Sequence, residues 1–317
     1  MSGRSEEPMD AERGRPVDIK AVPVRHPLRW VGAAAVFLVA ASLINSAAAN
    51  PRIGWSVVGQ YLFDPRILDG VLLTIELTIV SMVAGVLIGV LMAVLRQSPN
   101  PVFSGLSWVY IWLFRGLPRV VLILFVFYIS ALYPKITFGI PFADTVFLSG
   151  NANTLITPFL AAFVALSLSE GAYMAEIVRA GLISVDDGQT EAAQALGLSR
   201  LQTLRHVVLP QAMRVIVPPT GNETISMVKD TSLVFAVALP DLLYSAQLIY
   251  SVNYKQIPLL VVVVTWYLAL TSVLYVVQYY LERRFGRGAA RELPPTPRQR
   301  LVAAWRKWRP RQGEAAA

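Results

Sequence analysis

Ionisable side chains stand inside long apolar stretches of this sequence, where few polar neighbours accompany them. Glu76 is flanked by Thr74 and Thr78, and Glu170 ends an apolar run just before Gly171. Because a charge at membrane depth is costly, such residues usually face a bundle interior or a path for a polar solute. The pattern predicts pathway residues at these positions: Glu76, Glu170, Asn222, Glu223, Lys229, Asp230, Thr231 and Ser232.

Some charges in these stretches also have a structural interpretation. Glu176 and Arg179 are spaced i, i+3, so they can pair on one helical face, and we expect a scaffold contact there. Lys229 and Asp230 could neutralise each other or neighbouring helix ends. For this pair, and for Glu76 and Glu170, both the structural and the pathway interpretation stay open. No nucleophile–base pair or metal-ligand constellation accompanies them, so we predict no catalytic residue and no metal site.

The apolar stretches are long enough to cross a membrane. Mean hydropathy is +0.53 and 55% of the residues are hydrophobic, and about 20 apolar residues in a helix span a bilayer core. One apolar stretch, residues 213–239, is interrupted by Pro218, Pro219, Lys229 and Asp230. The sequence therefore predicts an all-α fold, a polytopic bundle of about six transmembrane helices at residues 30–49, 67–95, 117–133, 155–178, 213–239 and 258–281.

Lys and Arg are distributed unevenly between the connections. They concentrate in both tails, in residues 179–214, and around the turn that holds Arg96, Arg115 and Arg119. Short cytoplasmic loops are enriched in basic residues. The pattern predicts a membrane protein with both termini and residues 186–210 in the cytoplasm, and residues 135–153 outside. The net charge of +8 comes largely from the C-terminal tail, which suits an anionic leaflet, and no nucleic-acid-binding fold accompanies it.

The predicted organisation has four parts. Residues 1–29 are expected to be a disordered cytoplasmic tail, 30–49 an extra N-terminal helix, 66–285 the main transmembrane domain, and 286–317 a basic cytoplasmic tail. Small residues at 46–49 resemble a leader cleavage site, so the first helix is either a cleaved leader or a retained anchor. The long polar tail in front of it favours the anchor.

Residues 187–210 carry a pattern of two short helices. Residues 191–196 have high helix propensity, and Glu191 lies near the positive end of the helix dipole. Gly197 can adopt the left-handed conformation that ends a helix, and Ser199 with Gln202 forms a capping box for a second helix reaching about residue 206. Pro210 is expected to stop this helix or redirect it into the next span. Such an exposed helix pair suits insertion into a cleft of a partner.

This segment resembles the EAA signature of ABC importer permeases, from Glu191 through Gly197 to Leu209 and Pro210, with Val207 where the family usually has Ile. Residues 171–173, 176–179, 188–189, 209–212 and 229–233 narrow the resemblance to the polar amino acid branch, the histidine/glutamine permease type. Residues 114–118 look like that branch's Arg-Gly-Thr-Pro element, with Leu117 replacing Thr. The resemblance covers about residues 68–285.

The resemblance implies a multi-pass permease subunit of the bacterial inner membrane, part of an ATP-driven importer for polar amino acids, which is not itself an enzyme. Its partners are expected to be an ABC ATPase, a second permease copy or a homologous permease, an extracytoplasmic substrate-binding protein and membrane lipids, without nucleic acid. The sequence has no Gly-x4-Gly-Lys-[Ser/Thr] loop, so no cofactor is expected here, and ATP and Mg bind the partner ATPase. ATPase docking is expected of Gly188, Gln189, Glu191, Ala192, Ala193, Gly197, Leu209 and Pro210.

The substrate stays open within this class. A zwitterionic amino acid offers an ammonium and a carboxylate, and charged pathway residues can meet both. Cystine-like compounds, opines and other small zwitterions fit the same description. The rival class is a carrier or channel driven by an ion gradient, which has no use for the EAA segment.

Overall fold

The computed structural model describes residues 27–139 and 146–285, together with Val302. Most of the two predicted tails lies outside the described residues. The chain divides into two units, Met1–Arg52 and Ile53–Ala317. The first unit contains α1 (Pro27–Ala49), which is exposed along its length and apolar enough to cross a membrane. The helix predicted at residues 30–49 is therefore present and begins a few residues earlier.

The second unit is a helical bundle with one small β-hairpin. Short 3-10 segments precede α2 (Pro51–Ile53) and follow α10 (Thr231–Val237), and a π-helical turn precedes α10 (Leu204–Val208). The helices and strands are α2 (Trp55–Tyr61), α3 (Pro65–Arg96), α4 (Pro101–Gly116), α5 (Arg119–Leu132), β1 (Lys135–Gly139), β2 (Val146–Asn151), α6 (Ala152–Leu155), α7 (Pro158–Ile183), α8 (Asp187–Ala195), α9 (Arg200–Thr203), α10 (Leu209–Asp230), α11 (Leu242–Asn253) and α12 (Gln256–Phe285).

The number of spans agrees with the prediction only when bent helices are counted. In the described part of the chain, four helices are long and apolar enough to cross a membrane: α1, α3, α7 and α12. Two bent pairs also pass this test, α4 with α5 at 106° and residues 200–237 with α11 at 46°, which gives up to six. The all-α class is confirmed, and the protein is a multi-pass membrane protein.

The break between α4 and α5 comes from Leu117 and Pro118. The ring of a proline disfavours helical backbone angles at the residue before it, and Leu117 is extended, with ψ 136°. α4 therefore ends at Gly116, directly before this pair. The single span predicted at residues 117–133 is wrong, because α5 alone has 14 residues and needs the 16 residues of α4 to complete a crossing.

The core of the bundle is the contact of α3 with α7. Small residues recur every four positions on α3, and the sequence predicts a close helix approach there. The structure confirms it: a Cβ atom added at Gly85 would lie 2.7 Å from Cγ of Glu170, and one at Gly89 would overlap Met174. Ser81 on the same stripe is fully buried. Any larger side chain at these glycines would force the two helices apart.

The connection between α5 and α7 holds an antiparallel pair of strands. β1 and β2 pair with Lys135 opposite Asn151 and Thr137 opposite Ser149. The sequence predicts only a loop with turn residues for this segment. The hairpin is the exception to the helical architecture within the described residues.

Candidate functional site

Several charged residues predicted for the pathway meet at one arginine. The guanidinium of Arg119, in the first turn of α5, donates to Oε2 of Glu170 at 3.1 Å and, through its other terminal nitrogen, to a carboxylate oxygen of Asp230. A carboxylate oxygen of Glu223 lies 3.8 Å from it. These four residues, called the Arg119 cluster below, join α5, α7 and α10. Because Glu170 lies near the middle of α7, the cluster lies at mid-span.

The cluster is closed on one side and accessible on the other. The Glu170 side chain is fully buried, that of Arg119 is 14% exposed, and those of Glu223 and Asp230 are 25% and 31% exposed. Among the described residues, Oε1 of Glu170 has no hydrogen-bond partner. A small polar molecule can therefore reach Glu223 and Asp230, while Glu170 anchors the arginine from behind.

An aromatic ring extends this site along α7. Tyr173, one turn after Glu170, has the guanidinium of Arg119 5.1 Å from its ring centroid and that of Arg115 at 5.4 Å. The elbow at Leu117 and Pro118 brings both arginines to the same ring, although they lie on different helices. Cation–π contacts of this kind favour a fixed position for each guanidinium.

One interpretation of the sequence is wrong here, and one that stays open in the sequence is narrowed. The charge pattern groups Arg119 with the basic residues of a cytoplasmic turn, yet Arg119 lies against the middle of α7, because the α4–α5 elbow reaches into the bundle. Asp230 pairs with Arg119 and not with its neighbour Lys229. Lys229 is exposed and has no carboxylate oxygen within 4.0 Å among the described residues. Sequence could have suggested Arg119 only through its place directly after a proline break.

The remaining pathway candidates lie outside the cluster. Glu76 is exposed on α3 and forms no ion pair within the described part of the chain, and Asn222 is exposed on α10. The hydroxyl groups of Thr231 and Ser232 donate to backbone carbonyls three residues earlier, at 2.7 and 2.6 Å. The expected pair of Glu176 with Arg179 is confirmed: Nε and Nη2 of Arg179 donate to Oε2 of Glu176 at 3.1 and 2.7 Å.

A buried acid that the sequence analysis did not single out is Asp241. Its oxygens accept hydrogen bonds from the backbone N–H groups of Leu243 and Tyr244, at 3.2 and 2.9 Å, and from the Tyr267 hydroxyl at 3.2 Å. It thus caps α11 and fastens that helix to α12. Its position after Pro240 and before an apolar run is the signal for such a cap. With these donors it has a structural role.

The helix caps predicted for the hairpin at residues 187–208 are present in the structure. α8 ends before Gly197, whose φ of +83° is left-handed, and Ser199 and Gln202 form the reciprocal capping box. Most docking candidates on α8 are exposed, whereas Ala193 is 5% exposed and packs inward. Leu196 and Leu201 are 84% and 73% exposed. Large apolar side chains on a short exposed hairpin favour contact with another protein.

The second helix of the hairpin does not stop at Pro210. It continues from α9 through the π-helical turn Leu204–Val208 into α10, with Pro210 in the first turn of α10. A proline is tolerated in a first turn because it has no N–H to donate, and the wide turn before it absorbs the change in register. One helical run therefore joins the hairpin to Asp230.

The described residues contain no group of three or more His, Asp or Glu side chains that could hold a metal ion. The Arg119 cluster has its carboxylates directed at a guanidinium, which is the arrangement of an ion-pair network. The site can bind a ligand through charge: Glu223 and Asp230 on α10 are partly exposed carboxylates, and Arg119 and Lys229 are cations.

The fold and these residues define a permease. The family described as the inner membrane component of binding-protein-dependent transport systems matches residues 85–287, and the chain belongs to this family. The chain is thus a membrane-spanning subunit of an ATP-driven importer of polar amino acids and not an enzyme. As a subunit of an ABC transporter it works with an ATPase.

Several relatives transport amino acids. The chain is 46% identical to the arginine transport system permease protein ArgU of Corynebacterium glutamicum, over 93% of this chain and 91% of that protein. It is 33% identical to the glutamine transport system permease protein GlnP of Escherichia coli, over 74% of this chain and 98% of GlnP. The L-cystine permease protein TcyB of Bacillus subtilis is 35% identical, over 75% of this chain and 94% of TcyB.

A solved structure of an amino acid ABC transporter with histidines has a chain that matches 71% of this one and 97% of its own length. The TM-score is 0.61 at 30% identity. A methionine ABC transporter in an inward-facing conformation matches with a TM-score of 0.52 at 21% identity, which shows the fold alone.

Proposed function

We propose that this permease transports a cationic L-amino acid, such as arginine, and that the Arg119 cluster meets the substrate during passage. The observation that carries the proposal is the excess of carboxylates around one guanidinium at mid-span. Three carboxylates surround the single guanidinium of Arg119, so the cluster has more carboxylates than cations. A second cation next to them is favoured electrostatically, more strongly than it would be in bulk water.

A basic amino acid matches this arrangement group by group. Its ammonium and its cationic side chain can approach Glu223 and Asp230, the two partly exposed carboxylates. Its own carboxylate can approach Lys229, which is exposed and one residue from Asp230. A neutral zwitterion such as glutamine brings one cation fewer, so it satisfies the cluster less well.

The relatives support the same substrate class. The relative with 46% identity is an arginine permease protein, and the matching solved transporter contains histidines. The glutamine and cystine permease proteins match at 33% and 35% identity. Neutral polar amino acids are therefore the second candidate class, favoured by the number of such relatives.

We also propose how the chain meets its partners. The exposed hairpin with Leu196 and Leu201 enters a cleft of the ATPase, which binds ATP and Mg, and the docking residues are those predicted from the EAA signature. The complex contains a second copy of this chain or a homologous permease, and an extracytoplasmic binding protein delivers the substrate. Both termini and the hairpin then lie in the cytoplasm, and the strands β1 and β2 lie outside.

Uptake by the assembled complex in proteoliposomes tests the substrate class. Labelled arginine is offered with unlabelled lysine, histidine, glutamine or cystine as competitors, and the basic amino acids should compete best. Asp230→Asn keeps the shape and leaves Arg119 two carboxylates, so the protein should fold and hydrolyse ATP while arginine uptake falls about tenfold or more. Asp64→Asn is the matched control, because Asp64 pairs with the exposed Arg66. Glutamine as the preferred competitor would refute the proposal.

A further inference from the structure

A second polar site shares Tyr173 with the Arg119 cluster. It is a cavity of about 410 Å³ lined by residues of α4 and α7 and by Arg96 at the end of α3. Its lining includes Trp108 and Trp112 from α4, Arg115, and Tyr173 and Glu176 from α7. We call it the tryptophan groove. Its size falls in the range of small-molecule sites, about 300–1,000 Å³.

The groove contains a positive and a negative side chain, and each has groups that can still bind a ligand. Arg115 has no carboxylate oxygen within 4.0 Å among the described residues, and its guanidinium lies over the face of Tyr173. Glu176 accepts both hydrogen bonds from Arg179 at the same oxygen, Oε2. Its other oxygen is therefore available to a donor in the groove. An α-carboxylate and an α-ammonium would find complementary partners here.

The aromatic residues suit a third group. Trp108 and Trp112 are one helical turn apart, their rings stack within 9° of parallel with centroids 6.2 Å apart, and they are 52% and 63% exposed. A tryptophan face is the best aromatic surface for a cation. Lipid tails offer no partner to charged side chains. The combination of Trp, Arg and Glu in one groove therefore favours a polar solute as its ligand.

We propose that the tryptophan groove is a second amino acid site, which the substrate occupies after it leaves the Arg119 cluster on its way to the cytoplasm. Arg115 and Arg96 would hold the carboxylate, Glu176 the ammonium, and the Trp108–Trp112 pair a cationic side chain. Tyr173 lines the groove and contacts Arg119, so the two sites are adjacent. This inference rests on the proposed function, because it uses the same substrate class and orientation.

A site open to the cytoplasm should bind product from that side. The assembled complex is placed in proteoliposomes with its ATPase and ATP inside, and labelled arginine is offered outside with the binding protein. Graded unlabelled L-arginine inside should slow uptake in a saturable way. Trp112→Leu should raise the internal concentration for half-inhibition about three- to tenfold, as expected for a lost cation–π contact. Arg115→Gln should raise it about tenfold.

Each variant is compared with its own rate at zero internal arginine, so a change in transport speed does not mimic a change in binding. Trp30→Leu on α1 is the matched control, since Trp30 is an exposed tryptophan that does not line the groove. It should leave the half-inhibitory concentration unchanged. The inference is wrong if internal arginine does not inhibit uptake. It is also wrong if internal arginine inhibits uptake by both groove variants at the same concentration as it inhibits the wild type.

Failure of the proposed function gives a different result. If external competition favours glutamine, the substrate class is wrong, and the internal titration is repeated with glutamine, where Arg115→Gln must still raise the half-inhibitory concentration. An anionic lipid headgroup is the alternative occupant of the groove, although Glu176 opposes it. If the groove variants change the dependence of uptake on phosphatidylglycerol content and leave product inhibition unchanged, the groove binds lipid and the inference is overturned.

Discussion

Gly221 on α10 lies against the side-chain amide of Gln278 on α12, with no room between them for a methyl group. The amide nitrogen of Gln278 donates to the carbonyl oxygen of Pro218 and to Oε1 of Glu282, both at 2.7 Å. Pro218 and Pro219 supply no N–H, so α10 lacks two helical hydrogen bonds here. Thus α12 supports α10 at its weakest turn, between the hairpin and the Arg119 cluster.

Gly221→Ala should push the Gln278 amide away from Pro218 and lower stability by about 1–3 kcal/mol, the range for overpacking a filled site. The melting temperature of the purified protein measures this loss. Gly105→Ala is the control, since nothing lies within 4 Å of a Cβ added there. Combining Gly221→Ala with Gln278→Ala should cost less than the two losses added together, because the shorter side chain vacates the space. Strict additivity would contradict the contact.

Arg119→Gln should be among the most damaging single changes in the chain. It leaves Glu170, Glu223 and Asp230 without their cation, and removing one partner of a buried ion pair costs about 3–5 kcal/mol. Yield and melting temperature should fall together with uptake. Arg66→Gln breaks an ion pair whose arginine is 61% exposed, and it should change stability by less than about 1 kcal/mol. Equal melting temperatures for the two variants would show that the cluster contributes no stability.

Gly197→Val should uncouple the permease from its ATPase. A β-branched residue at φ +83° is strained by about 1–3 kcal/mol, which distorts the turn between α8 and α9. The ATPase should no longer co-purify, and substrate-stimulated ATP hydrolysis should be lost, while the protein still inserts into the membrane. Gly197→Asn is the conservative variant, because asparagine tolerates left-handed angles. Coupling that survives Val as well as Asn would mean that this turn does not contribute to docking.

The orientation can be measured directly, because the chain has no cysteine. Ser149 on β2 and Ser199 at the hairpin are both exposed, so a cysteine at either position is accessible. A membrane-impermeant thiol reagent applied to intact cells should label Ser149→Cys and leave Ser199→Cys unmodified. Both should react after the membrane is permeabilised, which controls for accessibility. Labelling of position 199 alone in intact cells would reverse the proposed topology.

Features set by local rules were predictable from sequence. Gly197, with Ser199 and Gln202, determined the hairpin caps within a few residues, and apolar length located α3, α7 and α12. The place of Arg119 was not predictable in this way. An arginine beside a proline break is typical of a cytoplasmic turn, and only the tertiary bend of α4 against α5 brings it to Glu170. The strands β1 and β2 escaped prediction because turn residues dominate that segment.

The close contact of α3 with α7 has a consequence for the transport cycle. A side chain at Gly85 or Gly89 would overlap α7, and so close a contact favours movement of α3 and α7 together. The ion pair between Arg119 and Asp230 ties α10 to α5, and the pair between Arg119 and Glu170 ties α5 to α7. Under the proposed function, a substrate cation that competes for Asp230 would weaken the tie between α10 and α5 and so favour movement of α10. By linkage, a movement of α10 driven from its hairpin end must change the affinity of Asp230 for substrate by the same factor.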